Sequence, residues 1–248
     1  MASVDDARPN PDNFVLVKST LPRRPLFGAD TEPRPVVVTE RLIIRPFSAD
    51  DLAGLHVLRT QPEVMVWTMV GSIDPDLATT EAKLKAWLPG AATGGVSESF
   101  NNAIIWKETG ELIGTGGSHN LRSSFGWPEL GYIFKREFWG KGVATEFVRA
   151  FLGIWEALPR VEAEVKVDAR SLAGAELGGG KVREQLIAMV AEENHGSQGV
   201  LRKSGFELIV AWKDADSRFP DGSVQIALPT FRYFPKLLVQ PEEHLNQG

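Results

Sequence analysis

The most regular hydrophobic pattern in this chain is a strand followed by a glycine-rich turn and a helix. Leu130, Tyr132 and Phe134 alternate with other residues, as expected of a half-buried strand. From residue 143 to 158 the apolar residues are three or four apart, which places them on one face of a helix; they are Val143, Phe147, Phe151, Ile154, Trp155 and Leu158. Gly140 and Gly142 precede this helix, and such a turn can direct backbone N–H groups outward at the positive end of the helix dipole. The pattern predicts an anion site, for which a phosphate is the usual ligand.

The segments before this motif show alternating strand and helix patterns. Apolar runs at 36–38 and 42–44 predict strands, and Ser48 with Asp51 predicts the capped start of a helix that ends near residue 59. A second helix is predicted from about residue 76 to about 87. Apolar runs on both sides of Thr109-Gly110 predict an antiparallel hairpin.

The segments after the motif complete the predicted fold. They indicate a strand at 161–168, an amphipathic helix at 181–193, a short helix ending near 203, and two final strands at 206–212 and 224–233. We therefore predict a mixed α/β domain with a twisted, mostly antiparallel sheet of about seven strands and helices on both faces.

Glycine-rich turns occur in several unrelated phosphate-binding families, so the turn alone does not identify the ligand. A Walker A loop needs a glycine five residues before the central Gly-Lys pair and a Ser or Thr directly after it, but the chain has Lys135 and Gly142 there. A dinucleotide fingerprint needs a third glycine where Thr145 stands, although Glu162 lies at a tolerable distance for a ribose contact. The predicted hairpins also differ from the βαβ units of that fold. A purely structural turn stays open.

Two ordered motifs resemble the GNAT N-acetyltransferase family, in particular the branch that contains ribosomal-protein and other protein N-terminal acetyltransferases. The first is Phe138-Trp139-Gly140-Lys141-Gly142-Val143-Ala144-Thr145-Glu146, similar to the family's Tyr-Trp-Gly-Lys-Gly-Tyr-Ala-Thr-Glu, and it follows Glu129-Leu130-Gly131-Tyr132. The second is Asn194-His195-Gly196-Ser197 with Val200-Leu201-Arg202-Lys203-Ser204-Gly205-Phe206, similar to Asn-x-x-Ser and Val-Leu-x-Lys-x-Gly-Phe. The resemblance covers roughly residues 37 to 236.

The resemblance implies a GNAT fold, with acetyl-CoA as cosubstrate and no metal. In that fold the fourth and fifth strands splay apart, and the pantetheine arm bonds the freed backbone of the fourth strand. The implied cofactor-binding residues are Tyr132, Ile133, Phe134, Trp139, Gly140, Lys141, Gly142, Val143, Ala144, Thr145 and Asn194. Other roles stay open for two of them: Trp139 could pack beneath the turn, and Asn194 could cap the helix that follows.

The chain departs from the family pattern before Asn194. The family has almost no residues between its fifth strand and this helix, whereas here about 25 residues intervene, so we expect an insertion at about 169–193. The predicted division is an arm with six prolines at 1–35, a GNAT domain at 36–236 and a tail at 237–248. The arm is expected to wrap the domain, and a loose tail is the alternative.

The resemblance also implies the chemistry, which is direct attack of a neutral amine on the thioester without a covalent enzyme intermediate. Glu129, beside the signature, is the candidate general base, and a solvated carboxylate at the strand edge is the alternative. The family often places a tyrosine on the helix that begins near Asn194, close to the departing thiolate, but this chain has none there. Ser197 is therefore the candidate hydrogen-bonding partner of the sulfur, with helix capping as its alternative.

Acceptor recognition in the family comes mainly from the loop between the first two helices and from the hairpin between the last two strands. In this chain these are 62–74 and 214–221. The loop offers Trp67 and two methionines, an apolar and adaptable wall. The hairpin carries Asp214, Asp216 and Asp221, which could attract a cationic amine, although a solvated hairpin is the alternative. His119 could line the acceptor cleft or be an ordinary exposed loop histidine.

Composition narrows the possible partners. The formal net charge of -5 and the absence of a basic cluster argue against nucleic acid and suit a cationic substrate. Zero cysteines exclude a thiolate nucleophile, and four scattered histidines make a metal site unexpected. The chain starts without a signal-peptide pattern and has no apolar stretch near the ~20 residues of a membrane span. We expect a cytoplasmic protein, monomeric or homodimeric.

Two functions of different classes stay open. One is an N-acetyltransferase that transfers the acetyl group of acetyl-CoA to a protein N-terminus or a small amine. The other is a catalytically silent module that binds acyl-CoA as a sensor or scaffold, which the insertion before Asn194 makes worth testing. The signature reports cofactor binding and not turnover, so the sequence cannot separate them.

Overall fold

The structure is a computed structural model that describes residues 7–24, 26, 34–88, 100–172, 181–219 and 221–236. This part of the chain contains the strands β1 (Val15–Pro22), β2 (Val37–Val38), β3 (Leu42–Arg45), β4 (Phe100–Trp106), β5 (Leu112–Asn120), β6 (Glu129–Phe134), β7 (Arg160–Val167), β8 (Leu186–Met189), β9 (Glu207–Ala215) and β10 (Gln225–Tyr233). Its α-helices are α1 (Leu52–Arg59), α2 (Pro62–Met65), α3 (Leu77–Trp87), α4 (Val143–Ala157) and α5 (His195–Lys203). The predicted tail at 237–248 lies outside the described residues.

Eight of these strands form one sheet in the order β2-β3-β4-β5-β6-β8-β10-β9. Neighbouring strands run antiparallel except β6 and β8, which are parallel and pair at one position, Glu129 with Ile187. The predicted mixed α/β class and the mostly antiparallel sheet are confirmed. The sheet has one strand more than the seven or so that the sequence indicated.

Helices cover both faces of this sheet. Ile104 of β4 packs with Phe147 of α4 in one apolar cluster, whereas its neighbours Ala103 and Ile105 pack with Leu55 of α1 in another. Successive side chains of a strand point to opposite faces, so the two clusters are two separate layers. Burial of α4 against the sheet places its N-terminus, and the glycine turn before it, beside the end of β6.

The strand predicted at 161–168 is present as β7, but it lies outside the main sheet. It pairs antiparallel with β1 of the proline-rich arm along the whole length of both strands. Val17, Val165 and Val167 are buried on this ribbon, in a cluster with Trp127 and Trp212. Residues 15–22 of the arm thus pack on the domain as a strand, which agrees with the predicted wrapping arm.

The prediction of a helix at 181–193 is wrong. Residues 186–189 of this segment form β8, which fills the sheet position between β6 and β10. A short continuous apolar run looks the same in a buried strand and a buried helix, so periodicity could not separate the two. Residues 190–194 then lead directly from β8 into α5. The surroundings of Asn194 are therefore continuous with the sheet, and the additional residues precede β8.

Local helix and turn signals are confirmed elsewhere. Ser48 and Asp51 form the predicted capping box, and Asp76 caps α3 by accepting a hydrogen bond from the Thr79 N–H at 2.7 Å. The β4–β5 hairpin turns at Gly110, which has a φ of 73°. The sequence missed the single-turn helix α2, which starts at Pro62 inside the predicted loop.

Candidate active site

The glycine turn has the geometry of an anion site. Gly140 and Gly142 have φ values of 71° and 76°, a left-handed conformation that favours glycine, and Gly142 is the N-cap of α4. The first backbone N–H groups of a helix have no partner within it, so those of residues 143–145 are available to a ligand. The helix dipole adds positive potential at the same place.

An arginine that the sequence did not single out lies against this turn. Arg41 donates from Nη1 to the carbonyl oxygen of Lys141 at 2.8 Å, which leaves its guanidinium beside Gly142. Glu146 holds Arg41 in place, because its carboxylate accepts from the backbone N–H and from Nε of Arg41 at 2.9 and 2.7 Å. Glu146 also accepts from the Thr39 hydroxyl at 2.6 Å. Its carboxylate is thus engaged in positioning Arg41.

A cleft of about 570 Å³ runs from the glycine turn along the end of β6 to the start of α5. Ten of the eleven predicted cofactor-binding residues line it: Tyr132, Ile133, Phe134, Trp139, Gly140, Gly142, Val143, Ala144, Thr145 and Asn194. The exception is Lys141, whose ammonium lies 5.7 Å above the ring of Phe138. Trp139 donates from Nε1 to the carbonyl oxygen of Phe134 at 2.8 Å, which ties the turn to the end of β6.

Asn194 and Ser197 start α5 at the far end of the cleft. The Asn194 side chain accepts from the Ser197 N–H at 3.0 Å, so Asn194 is the N-cap of the helix as well as a lining residue. The Ser197 hydroxyl lies 2.8 Å from that of Tyr132, and either oxygen can donate. The sequence assigned Ser197 alone to the sulfur, whereas the structure pairs it with a tyrosine that comes from β6.

A second cavity, of about 320 Å³, adjoins the cleft. We call it the acceptor cavity. Five residues line both spaces: Trp67, Tyr132, Ile133, Asn194 and Ser197. The two spaces therefore meet where β6 and β8 are no longer paired beyond the single bridge at Glu129 and Ile187. A group held at this junction is accessible from both sides.

Glu129 lies in the acceptor cavity, and its environment makes it a proton acceptor near neutral pH. The residue is 6% exposed, so the alternative of a solvated carboxylate at the strand edge does not apply. Burial raises the pKa of Glu129 from 4.5 to about 7, because the charged form loses hydration. A carboxylate with this pKa is half ionised at pH 7.

His119 also lines the acceptor cavity, with its Nε2 3.7 Å from Oε1 of Glu129. The ring packs directly on Gly131, where a Cβ would come within 2.7 Å of the His119 Nδ1, so the glycine makes room for the histidine. Desolvation by the cavity walls lowers the pKa of His119 although its side chain is still 39% exposed, and the lowered pKa favours the neutral ring. The pair is thus a carboxyl group and a neutral imidazole.

The predicted acceptor-recognition residues differ in whether they line the acceptor cavity. Trp67 lines both spaces. Asp216 is 3% exposed and accepts from Nε of Arg218 at 2.8 Å, so its charge is already neutralised. Asp214 lies 3.6 Å from Nη1 of Arg8 in the N-terminal arm. Neither aspartate is among the described residues that line the acceptor cavity, and the structure does not support an acidic landing site there.

Sequence reasoning missed an ion pair that anchors the acceptor loop at 62–74. The Asp74 carboxylate, which is 2% exposed, accepts from Nε and Nη2 of Arg59 at 2.7 and 2.9 Å. It also accepts from the Thr80 hydroxyl at 2.9 Å and contacts the Lys83 ammonium. These bonds lower the pKa of Asp74 to about 2 despite its burial, which opposes them. The end of the loop is thereby fixed to α1 and α3.

The described residues do not meet the requirements of a metal site or of a membrane-spanning helix. Among them, no group of three or more His, Cys, Asp and Glu side chains could hold a metal ion. Over the same residues, no helix combines the length and the apolar character that crossing a membrane requires.

Comparison with known proteins places these features in a family. A family model described as "Acetyltransferase (GNAT) domain" matches residues 41–207. An "Uncharacterized N-acetyltransferase p20" of Bacillus licheniformis is 33% identical over 132 residues, which cover 52% of this chain and 71% of that protein.

Solved structures share the fold at low sequence identity. The ribosomal-protein-S5-alanine acetyltransferase from Vibrio fischeri aligns with a TM-score of 0.54 at 15% identity, over 82% of this chain and 97% of its own. The microcin C7 self-immunity acetyltransferase MccE, in complex with acetyl-CoA and AMP, aligns with a TM-score of 0.57 at 13% identity, over 82% and 97%.

Proposed function

The chain belongs to the GNAT acetyltransferase family and is an acetyl-CoA-dependent acetyltransferase, and on that premise we propose that it transfers the acetyl group directly to a primary amine held in the acceptor cavity. The observation that carries this proposal is the junction of the two spaces. Tyr132 and Ser197 stand between a cleft that begins at an anion site and a cavity that contains a buried carboxylate. An acyl donor and an amine can therefore meet there from opposite sides.

The cleft fits the cosubstrate that the family uses. The outward N–H groups at the glycine turn suit a pyrophosphate, because they lie at the positive end of the α4 dipole and are fixed in place by the turn, which Arg41 braces through the Lys141 carbonyl. The apolar sides of Ile133, Phe134 and Val200 suit the pantetheine chain. Acetyl-CoA supplies an activated acetyl group as a thioester, and the chain's own residues have to orient it and move protons.

Glu129 is proposed as the general base. An alkylamine with a pKa near 10.4 is almost wholly protonated at pH 7, and removing its proton costs about 4.6 kcal/mol, whereas an α-amino group with a pKa near 8 costs only about 1.4 kcal/mol. A carboxylate whose pKa is about 7 takes this proton more readily than an ordinary glutamate would. It acts directly or through a water, and the amine nitrogen then forms the new C–N bond as the C–S bond breaks.

The hydroxyl pair of Tyr132 and Ser197 is proposed to serve the departing thiolate. Burial raises the pKa of Tyr132 to about 12, and the hydrogen bond with Ser197 opposes this only in part. The phenol therefore keeps its proton and stabilises the thiolate by donating a hydrogen bond. A protonated amine loses two protons when it becomes an amide. One passes through Glu129 to solvent, and the other is taken by the thiolate, which leaves as the free thiol.

Calorimetric titration with acetyl-CoA combined with a free-thiol release assay tests the proposal. We expect binding, amine-dependent thiol release and an N-acetylated product identified by mass. Binding without thiol release over a broad panel of amines would favour a silent acyl-CoA-binding module. No binding would contradict both functions.

A further inference from the structure

The acceptor cavity has both polar and apolar walls. Its polar side chains come from the central strands, from α1, from the acceptor loop and from the start of α5: Asn101, Thr115, His119, Glu129, Arg59, Thr68, Asn194 and Ser197. Its apolar side chains include Trp67 and Met69 of the acceptor loop, Trp87 of α3, Met189 of β8 and Leu201 of α5. Indole and thioether groups of this kind pack well on aromatic and branched hydrocarbon bodies.

Charge in the cavity is restricted to one available group. Of the charged side chains among the described lining residues, Arg59 is held in a bidentate pair with the buried Asp74. The lowered pKa of His119 favours its neutral ring. Glu129 remains as the carboxylate that can face a ligand. One ammonium group of a ligand can therefore pair with Glu129. A second ammonium group would have no further carboxylate among the described lining residues.

We propose that the acceptor is a small primary amine with a single positive charge on an apolar, preferably aromatic, body. This inference rests on the proposed function and narrows its substrate class. A second ammonium, as in a polyamine, would lie against indole and thioether groups with no second carboxylate among the described lining residues to pair with it. A carboxylate on the acceptor, as in a free amino acid, would meet Glu129 instead of an available cation. The cavity volume of about 320 Å³ is at the lower end of the range for small-molecule pockets, which favours a compact ligand over a peptide.

A matched pair of acceptors tests the proposed preference for a single positive charge. 2-Phenylethylamine and its para-aminomethyl derivative share a shape and a reacting amine, but the derivative carries a second ammonium. We expect kcat/KM for the dication to be lower by about tenfold or more. Calorimetry with each amine and the protein, without acetyl-CoA, should show tighter binding of the monocation than of the dication. This provides a readout that is independent of turnover.

A charge introduced at the cavity mouth provides the complementary test. Met69 lines the cavity but is 82% exposed, so Met69→Glu adds a carboxylate at a position where folding does not depend on burial. We expect this variant to favour the dication relative to the wild type by several-fold. Met69→Gln is the matched control, because it has the same length without the charge, and it should leave the preference for the monocation in place.

The outcomes separate this inference from the proposed function. Equal or faster acetylation of the dication, or of a polyamine such as spermidine, would overturn the preference for a single positive charge while leaving amine acetylation intact. Peptides with a free N-terminus that exceed every small amine in kcat/KM would overturn the small-molecule assignment. Failure of all amines, with acetyl-CoA bound, would instead contradict the proposed function.

Discussion

Replacing Glu129 by glutamine removes one ionisable group while keeping its shape. The side chain is 8% exposed, and among the described residues its one ion-pair contact within 4 Å is His119, 3.7 Å away, whose lowered pKa favours the neutral ring. Burial therefore raises its pKa from 4.5 to about 7. The charged form that the proposed mechanism uses is thus the one that the fold tolerates less well.

The size of this effect on stability follows from linkage. Each pKa unit corresponds to about 1.4 kcal/mol, so a change from 4.5 to about 7 is worth about 3 kcal/mol at most. The raised pKa means that the folded state holds the proton longer than the unfolded state. Protonated Glu129 therefore stabilises the folded state relative to ionised Glu129. This contribution to the free energy of unfolding is fully present below about pH 4.5 and is lost as the pH rises to about 7.

Urea unfolding of the wild type and of Glu129→Gln at several pH values measures this directly. The variant should gain stability relative to the wild type as the pH rises from 4.5 to 7, by up to about 3 kcal/mol, and the difference should then stay constant. Glu108→Gln, in the exposed β4–β5 turn, is the control for loss of a charge. A difference for Glu129→Gln that does not change with pH would refute the argument that Glu129 is desolvated.

The same variant tests the role in catalysis. The wild-type kcat/KM should rise with pH through an apparent pKa near 7, because Glu129 acts when ionised. Glu129→Gln should lose that rise and about a hundredfold in turnover at neutral pH, with partial recovery as free amine accumulates at higher pH. Wild-type turnover in a folded variant would remove Glu129 from the mechanism.

Four further substitutions test the hydroxyl pair, the glycine turn and the anchor of the acceptor loop. Tyr132→Phe, and to a similar extent Ser197→Ala, should lower turnover by about tenfold with little change in acetyl-CoA affinity, and unaltered kcat in both would dismiss the pair. Gly142→Ala forces a side chain into a φ of 76° and should cost about 1–2 kcal/mol of stability and weaken acetyl-CoA binding; unchanged calorimetry would argue against this anion site. Asp74→Asn should cost about 3 kcal/mol in urea unfolding at pH 7, because Arg59 is left buried and unpaired, and a loss below 1 kcal/mol would contradict that.

Much of the local structure could be predicted from the sequence, because the relevant signals lie within a few residues. The alternation that ends at Phe134, the two glycines and the stripe of α4 define strand, turn and helix without reference to the rest of the chain. The capping box at Ser48 and the turn at Gly110 are local in the same sense. Ten of the eleven predicted cofactor-binding residues line one cleft for this reason.

Features that depend on long-range pairing could not be predicted. β7 has good strand alternation, but its partner is the N-terminal arm, about 145 positions away in sequence. β8 has a short apolar run that is compatible with either a strand or a helix, and only its place between β6 and β10 decides. The contact between the hydroxyls of Tyr132 and Ser197 joins residues 65 positions apart. The pairing of Asp216 with Arg218 is local, and it could have warned that this carboxylate was already engaged.

A crystal structure of the complex with coenzyme A would show directly whether the cofactor occupies the cleft between the glycine turn and the start of α5. We expect the pyrophosphate to accept hydrogen bonds from the backbone N–H groups of residues 143–145. We expect the sulfur to lie at the hydroxyls of Tyr132 and Ser197, facing the acceptor cavity with Glu129. A pyrophosphate bound away from the glycine turn, or a sulfur directed away from the junction of the two spaces, would contradict this account.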